Sequence, residues 1–154
     1  MEQIRVGIVG TKFMGRARSN AYMDVARFFE LPAAPVMQAA CGRNVPDLQA
    51  FATRFGWRDT ETSWERLVER EDIDLVDICT SNVTHMPVAV AAAKAGKHVL
   101  CEKPIAMDAD EARHMLDAAR HGSIVGMGCA VTLPQEGRAL ASEWDLTPGR
   151  SVLE

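Results

Sequence analysis

Short apolar runs alternate with helical stripes along most of this chain, and that alternation constrains the fold more than any single motif does. Val6, Ile8 and Val9, then residues 36–41, then Ile73, Leu75, Val76 and Ile78, then residues 98–101, are apolar or nearly so, without the in-out alternation of a half-solvated strand. Such strands are buried on both faces, so helices must cover both sides of the sheet they form. Short connections and right-handed crossovers then give an α/β fold, a doubly wound parallel sheet in three αβα layers with expected strand order 3-2-1-4-5-6.

The helices are marked by period and punctuation. Met14, Ala17, Ala21, Val25 and Phe28 recur at steps of three and four and predict a helix to about Glu30 with one apolar stripe. Pro32 and Pro35 end it. Pro46 stands near the start of a second helix carrying Leu48, Phe51, Ala52 and Phe55, with Gly56 as its stop. Only a very short third strand fits around Trp57 and Arg58, after which Ser63 caps a helix over residues 64–70. Asp77 interrupts the strand over residues 73–79; it reads as a strand-edge acid paired with a neighbouring backbone group or base, the alternative being a catalytic carboxylate. Pro87 opens an Ala-rich helix from Val88 that Gly96 terminates. Asp108 and Glu111 begin the last clear helix, striped by Ala112, Met115, Leu116 and Ala119 and stopped at Gly122, and residues 123–128 read as a sixth strand. Beyond Cys129 a short helix with Leu140 and Trp144 and a turn at Pro148-Gly149 are all that the pattern suggests.

The first strand ends in Gly10-Thr11-Lys12-Phe13-Met14-Gly15 and passes at once into a helix, as in a dinucleotide-binding βαβ unit. Gly10 would let the backbone turn sharply and Gly15 would let helix and strand approach. The middle glycine of the GxGxxG pattern is replaced by Lys12, whose ammonium either reaches a pyrophosphate as a point charge or points to solvent.

Composition narrows the function classes. A net charge of −4 supplies no basic field for nucleic acid or an anionic membrane, and no apolar run approaches a membrane span. The N-terminus lacks the basic and apolar regions of a signal peptide, so the cytoplasm is the expected compartment. Cys41, Cys79, Cys101 and Cys129 are widely spaced and read as free buried thiols, with no metal site.

Three motifs now occur in order: the glycine turn, the loop Thr80-Ser81-Asn82-Val83-Thr84-His85, and Ala-Gly-Lys-His-Val-Leu-Cys-Glu-Lys-Pro over residues 95–104. Together they resemble the N-terminal NAD(P)-binding Rossmann domain of the glucose-fructose oxidoreductase and inositol dehydrogenase (Gfo/Idh/MocA) family, over about residues 3–128. The resemblance implies an NAD(P)-dependent oxidoreductase that moves hydride between nicotinamide and a hydroxyl-bearing carbon of a sugar, polyol or related small molecule. It implies that Lys103 lies beside the nicotinamide and the substrate hydroxyl as the catalytic group, with Glu102 orienting it and Pro104 stiffening the turn, a cis bond being more expected there than at X-Pro generally. Gly10, Thr11, Lys12, Phe13, Met14 and Gly15 would hold the pyrophosphate. Thr80, Ser81 and Asn82, with serine where the family has proline, would line the ribose and nicotinamide. His85 matches the loop's histidine and is either a cofactor contact or a helix cap, while His98, His114 and His121 read as structural or solvent-facing. At the end of strand two Gly42 stands where NAD-preferring enzymes place an acid and Arg43 follows, which favours NADP(H) over NAD(H); the competing view has Arg43 stacking on adenine with NAD as cofactor.

Family members continue into a sheet-and-helix domain that carries the substrate pocket and most of the oligomer interface. The expected organisation here is a dinucleotide-binding domain over residues 1–128 and an irregular or short-helical tail over 129–154, a truncated arrangement without the substrate domain. Two functions stay open: an enzyme, or the cofactor half of one, and a non-catalytic nucleotide-binding or interaction module. A homo-oligomer is expected where the uncovered surface self-associates.

Overall fold

The alternation resolves into one six-stranded, all-parallel sheet in a computed structural model of the chain, which describes residues 2–122 and 126–128. The elements follow in the order β1 (Glu2–Val9), α1 (Phe13–Phe28), β2 (Ala33–Cys41), α2 (Val45–Phe55), β3 (Asp59–Glu61), α3 (Trp64–Glu69), β4 (Leu75–Ile78), a 3₁₀ turn (Asn82–Thr84), α4 (His85–Lys94), β5 (His98–Cys101), α5 (Ala109–Gly122) and β6 (Gly126–Gly128). The strand order β3-β2-β1-β4-β5-β6 is the one the alternation predicts. The tail expected over residues 129–154, and with it Cys129, lies outside the described residues.

Residue parity along the strands builds two cores. Val9, Ala39, Cys41, Val76, Ile78, Val99 and Cys101 face one side, where α3, α4 and α5 bring Leu67, Val68, Val88, Ala89, Ala92 and Met115. Val6, Ile8 and Ala40 face the other, under Leu48, Phe51 and Ala52 of α2 and the indole of Trp57. Ala89 and Ala92 let α4 lie close to the sheet, and Leu67 presses on β1 so tightly that a Cβ on Gly7 would come within 2.8 Å of its Cδ2. Gly56 and Gly96 follow α2 and α4 in the left-handed region, with φ of 78° and 72°, where a Cβ would be strained.

α1 departs from its expected orientation. Phe28 is 76% exposed, Ala17 and Ala21 face solvent, and the buried positions are Gly15 and Ser19. The packed face is small and hydrogen-bonded: the Ser19 hydroxyl donates to the Gly15 carbonyl (2.7 Å) and accepts from the Trp57 indole N–H (3.0 Å), and Tyr22 meets Trp57 edge-on. Of the apolar stripe, Ala17, Ala21 and Phe28 therefore lie on the outer side of this helix, while Met14 packs on the core and Val25 is half-buried. Its last helical residue is Phe28, short of Glu30.

Other boundaries also shift for physical reasons. β2 begins at Ala33 and includes Pro35, because β3 pairs with β2 only from Ala39 onward and one side of the strand at Pro35 has no ladder to complete. β3 lies at Asp59–Glu61 and not at Trp57 and Arg58: Trp57 is drawn into the core under α1 and α2. α4 starts at His85, with Pro87 in its first turn, where a missing N–H costs no helical bond. Asp77 is not at a strand edge along the sheet but on β4, between β1 and β5. Among the described residues no helix is long and apolar enough to cross a membrane.

Candidate functional site

The strand register brings the three motifs to one level. Val9 pairs with Cys41 on one side and Ile78 on the other, and Ile78 pairs with Cys101. The residues that follow, Gly10, Gly42, Cys79 and Glu102, therefore leave the sheet together at its C-terminal edge, with Thr80 one position further on, and the order reverses between β1 and β4, where open α/β sheets bind ligands. Backbone bonds from Gly10 N–H to Cys41 (3.0 Å), Cys79 N–H to Val9 (2.8 Å) and Glu102 N–H to Ile78 (2.9 Å) hold this edge.

At the first motif Gly10 has φ of 111°, and a Cβ there would stand 2.8 Å from the Cys79 carbonyl oxygen. A Cβ on Gly15 would run into the Gly10 carbonyl oxygen. Both glycines are therefore required by contact. Lys12 is the N-cap of α1 and no side chain caps the helix there, so the first N–H groups of α1 are available to an anion. The Lys12 side chain is 84% exposed and leans to Asp47 at 3.7 Å. Phe13 is exposed, Met14 packs against the α1–α2 core, and Thr11 lies against Gly42, whose added Cβ would meet Thr11 Cγ2 at 3.2 Å. Thr11, Lys12 and Arg16 line a groove of about 300 Å³ with Asp47, Phe51 and Arg54 of α2. Arg43 is exposed beside Asn44, whose side chain caps α2 through the Asp47 N–H at 3.0 Å.

At the second motif the Thr84 hydroxyl lies 2.6 Å from that of Thr80 and 2.8 Å from the Ser81 carbonyl, which closes the turn and leaves Ser81 exposed and Asn82 half-buried. His85 is neither an outward-facing contact nor a cap. Its ring is fully buried, with Nδ1 2.9 Å from the Pro104 carbonyl oxygen and Nε2 3.1 Å from that of Thr80, so it braces the second motif against the third.

At the third motif the Lys103-Pro104 bond is cis and the Lys103 side chain is exposed. Glu102 is buried, and one carboxylate oxygen accepts the Lys103 backbone N–H at 3.3 Å. The other oxygen is 3.0 Å from Arg18 of α1, and Arg18 also lies 3.4 Å from Asp77. Asp77 is fully buried and accepts from the Tyr22 hydroxyl at 2.7 Å; burial pushes its carboxyl up against the pull of Arg18 and Tyr22, and desolvation pushes the Tyr22 hydroxyl up as well. The paired base expected for Asp77 is thus Arg18. Sequence spacing gives no hint of Arg18, because its bond to Glu102 joins residues 84 apart. Lys97, within the third motif, donates to the Arg70 and Ile73 carbonyls at 2.7 and 2.8 Å and fixes the start of β5.

Cys41, Cys79 and Cys101 are buried thiols that form no disulfide with one another. Desolvation pushes the Cys41 thiol up to about 12 and raises that of Cys79, so neither is a nucleophile at neutral pH. Among the described residues no three His, Cys, Asp or Glu side chains gather for a metal ion.

Comparison with known proteins agrees with this geometry. The GFO_IDH_MocA model, described as an oxidoreductase family with an NAD-binding Rossmann fold, matches residues 4–129. Levoglucosan dehydrogenase of Pseudarthrobacter phenanthrenivorans is 42% identical over 129 residues, 82% of this chain and 33% of its own length. The 1,5-anhydro-D-fructose reductase of Ensifer adhaerens is 47% identical over 76 residues, 49% of this chain and 23% of its own. Among solved structures, an oxidoreductase domain protein from Kribbella flavida superposes with a TM-score of 0.79 at 44% identity, covering 83% of this chain and 35% of that one. A levoglucosan dehydrogenase in complex with NADH and levoglucosan superposes with a TM-score of 0.80 at 39% identity, covering 82% and 34%. The chain spans about a third or less of the length of the curated relatives it matches.

Proposed function

The chain belongs to the Gfo/Idh/MocA oxidoreductase family, and from that premise we propose that it is the dinucleotide-binding part of an NAD(P)-dependent oxidoreductase acting on a hydroxyl-bearing carbon of a sugar or sugar derivative. The observation that carries the reading is the meeting of an uncapped helix N-terminus behind Gly10 with the Glu102-Lys103-Pro104 turn at one switch point of the sheet. The uncapped N–H groups of α1 fit a pyrophosphate, and Gly10 and Gly15 allow the turn that aims them. The nicotinamide, when bound, supplies the hydride chemistry. Lys103 holds a positive charge at the exposed end of β5, where it polarises a substrate oxygen and stabilises negative charge on it. Thr80, Ser81 and Asn82 line the intervening edge, and His85 fixes that loop to the Pro104 carbonyl. The substrate class is supported by the relatives, a levoglucosan dehydrogenase and an anhydrofructose reductase.

NADP(H) is the proposed preference. Gly42 offers no carboxylate to a ribose 2′-hydroxyl, its Cβ position is crowded by Thr11, and Arg43 next to it suits a 2′-phosphate. A second reading, NAD(H), is favoured by the levoglucosan dehydrogenase solved with NADH. Calorimetric titration with NADPH and NADH tests both: tighter binding of NADPH that is lost in Arg43→Ala supports the first, and equal or tighter NADH binding supports the second. Binding of neither dinucleotide overturns the function.

A further inference from the structure

We propose that Arg18 is a positioning residue for the nicotinamide end of this site, fixing the Lys103 turn relative to the helix that receives the pyrophosphate. The proposal rests on the dinucleotide reading above. Arg18 belongs to α1, the helix whose first turn follows Gly10, and its side chain is 11% exposed. One nitrogen faces Asp77 on β4 at 3.4 Å and the other faces Glu102 at the end of β5 at 3.0 Å. A single rigid fork thus spans one helix and two strands across the switch point. Glu102 passes the constraint on, because its second oxygen holds the Lys103 N–H. Asp77 is itself held by Tyr22, one turn further along α1. Both carboxylates lie on the α1 face of the sheet, on the side opposite to Val76, Ile78 and Cys101.

Stability alone does not account for this arrangement. Taking a guanidinium and two carboxylates out of water carries a desolvation penalty, and an apolar cluster of the same volume often serves a core as well. What the ion cluster adds is direction: a charge-assisted, planar contact sets the angle of the Glu102 carboxylate and so the backbone at Lys103. The distance between pyrophosphate donors and the Lys103 turn then becomes a fixed property of α1.

The test separates the two ends of the ligand. Affinities for NADPH and NADH, and for ADP-ribose and its 2′-phosphate, which lack nicotinamide, are measured by calorimetry on the parent, Arg18→Met and Arg18→Lys, each also in a Lys103→Ala background. Arg18→Met is expected to lose about tenfold in affinity for the dinucleotide, the size of one charged hydrogen bond, with the ADP-ribose ligands unchanged. Arg18→Lys keeps the charge without the fork and should fall between, which keeps the test decisive where Arg18→Met does not fold. In the Lys103→Ala background the Arg18→Lys effect should vanish. Equal losses for both ligand types, or an Arg18→Lys effect that persists without Lys103, overturn the proposal alone. A parent that binds neither ligand type overturns the dinucleotide reading and this proposal with it.

Discussion

A methyl group at Gly15 would collide with the carbonyl oxygen of Gly10, an atom on the inside of the turn that cannot swing away. Gly15→Ala should therefore force α1 off the turn, lowering stability by about 2 kcal/mol, as overpacking of a tight contact does, and abolishing dinucleotide binding. Thermal unfolding and calorimetry on the same preparation check both effects; a folded, fully binding Gly15→Ala contradicts the contact argument. Ser19 gives a second test. Ser19→Ala leaves the Trp57 indole N–H without its acceptor in a dry core, at a cost of about 1–3 kcal/mol in chemical denaturation. At this scale part of the candidate site is legible in the sequence. Lys103 and Glu102 stand out because a polar triplet directly after a buried strand falls at the end where α/β sheets bind ligands. Arg18 does not, because nothing local marks a helical arginine whose acids come from β4 and β5, and the burial of His85 is not legible because it depends on the approach of the Pro104 turn.

Elements show the same division between local and distant causes. α2 and α4 are announced by Pro46, Gly56, Pro87 and Gly96, whose effects on φ and on hydrogen bonding act within a turn. α1 is legible as a helix and only partly in its facing, since periodicity scores apolar residues and, beside Met14 and Tyr22, this helix packs through the hydrogen-bonded Ser19. The junction of β3 and α3 to β4 depends on Arg70, which bridges Asp59 (2.6 Å) and Asp72 (2.8 Å) and whose carbonyl accepts from Lys97. The Arg70 guanidinium holds the Asp72 carboxyl at about 2 and lowers that of Asp59. Depressed folded-state values mean that this contribution is complete above the unfolded value near 4 and is lost as pH falls toward 2. Asp59 and Asp72 remain 53% and 41% exposed, so solvent screening limits the network to about 1 kcal/mol. Arg70→Ala should unfold earlier than the parent at pH 7, with the gap closing as pH is lowered from 4 to 2 in urea titrations; a gap independent of pH would assign the effect to packing.

For the whole molecule the strand order is what matters. It is foreseeable because continuous apolar runs, helices between them and right-handed crossovers leave few topologies, and the register then sets Gly10, Gly42, Cys79 and Glu102 along one edge. That same order has a meaning in time. Val9 meets Cys41 across one connection, whereas its other neighbour, Ile78, arrives only after α2, β3 and α3 have been threaded. Loop closure makes the β1–β4 seam the slower of the two to form. Dinucleotide competence should therefore be the last property a refolding chain acquires. In stopped-flow refolding with NADPH present, the bound-nucleotide fluorescence is expected to rise after far-UV ellipticity has recovered, and simultaneous recovery would show that the two halves of the sheet assemble as one unit.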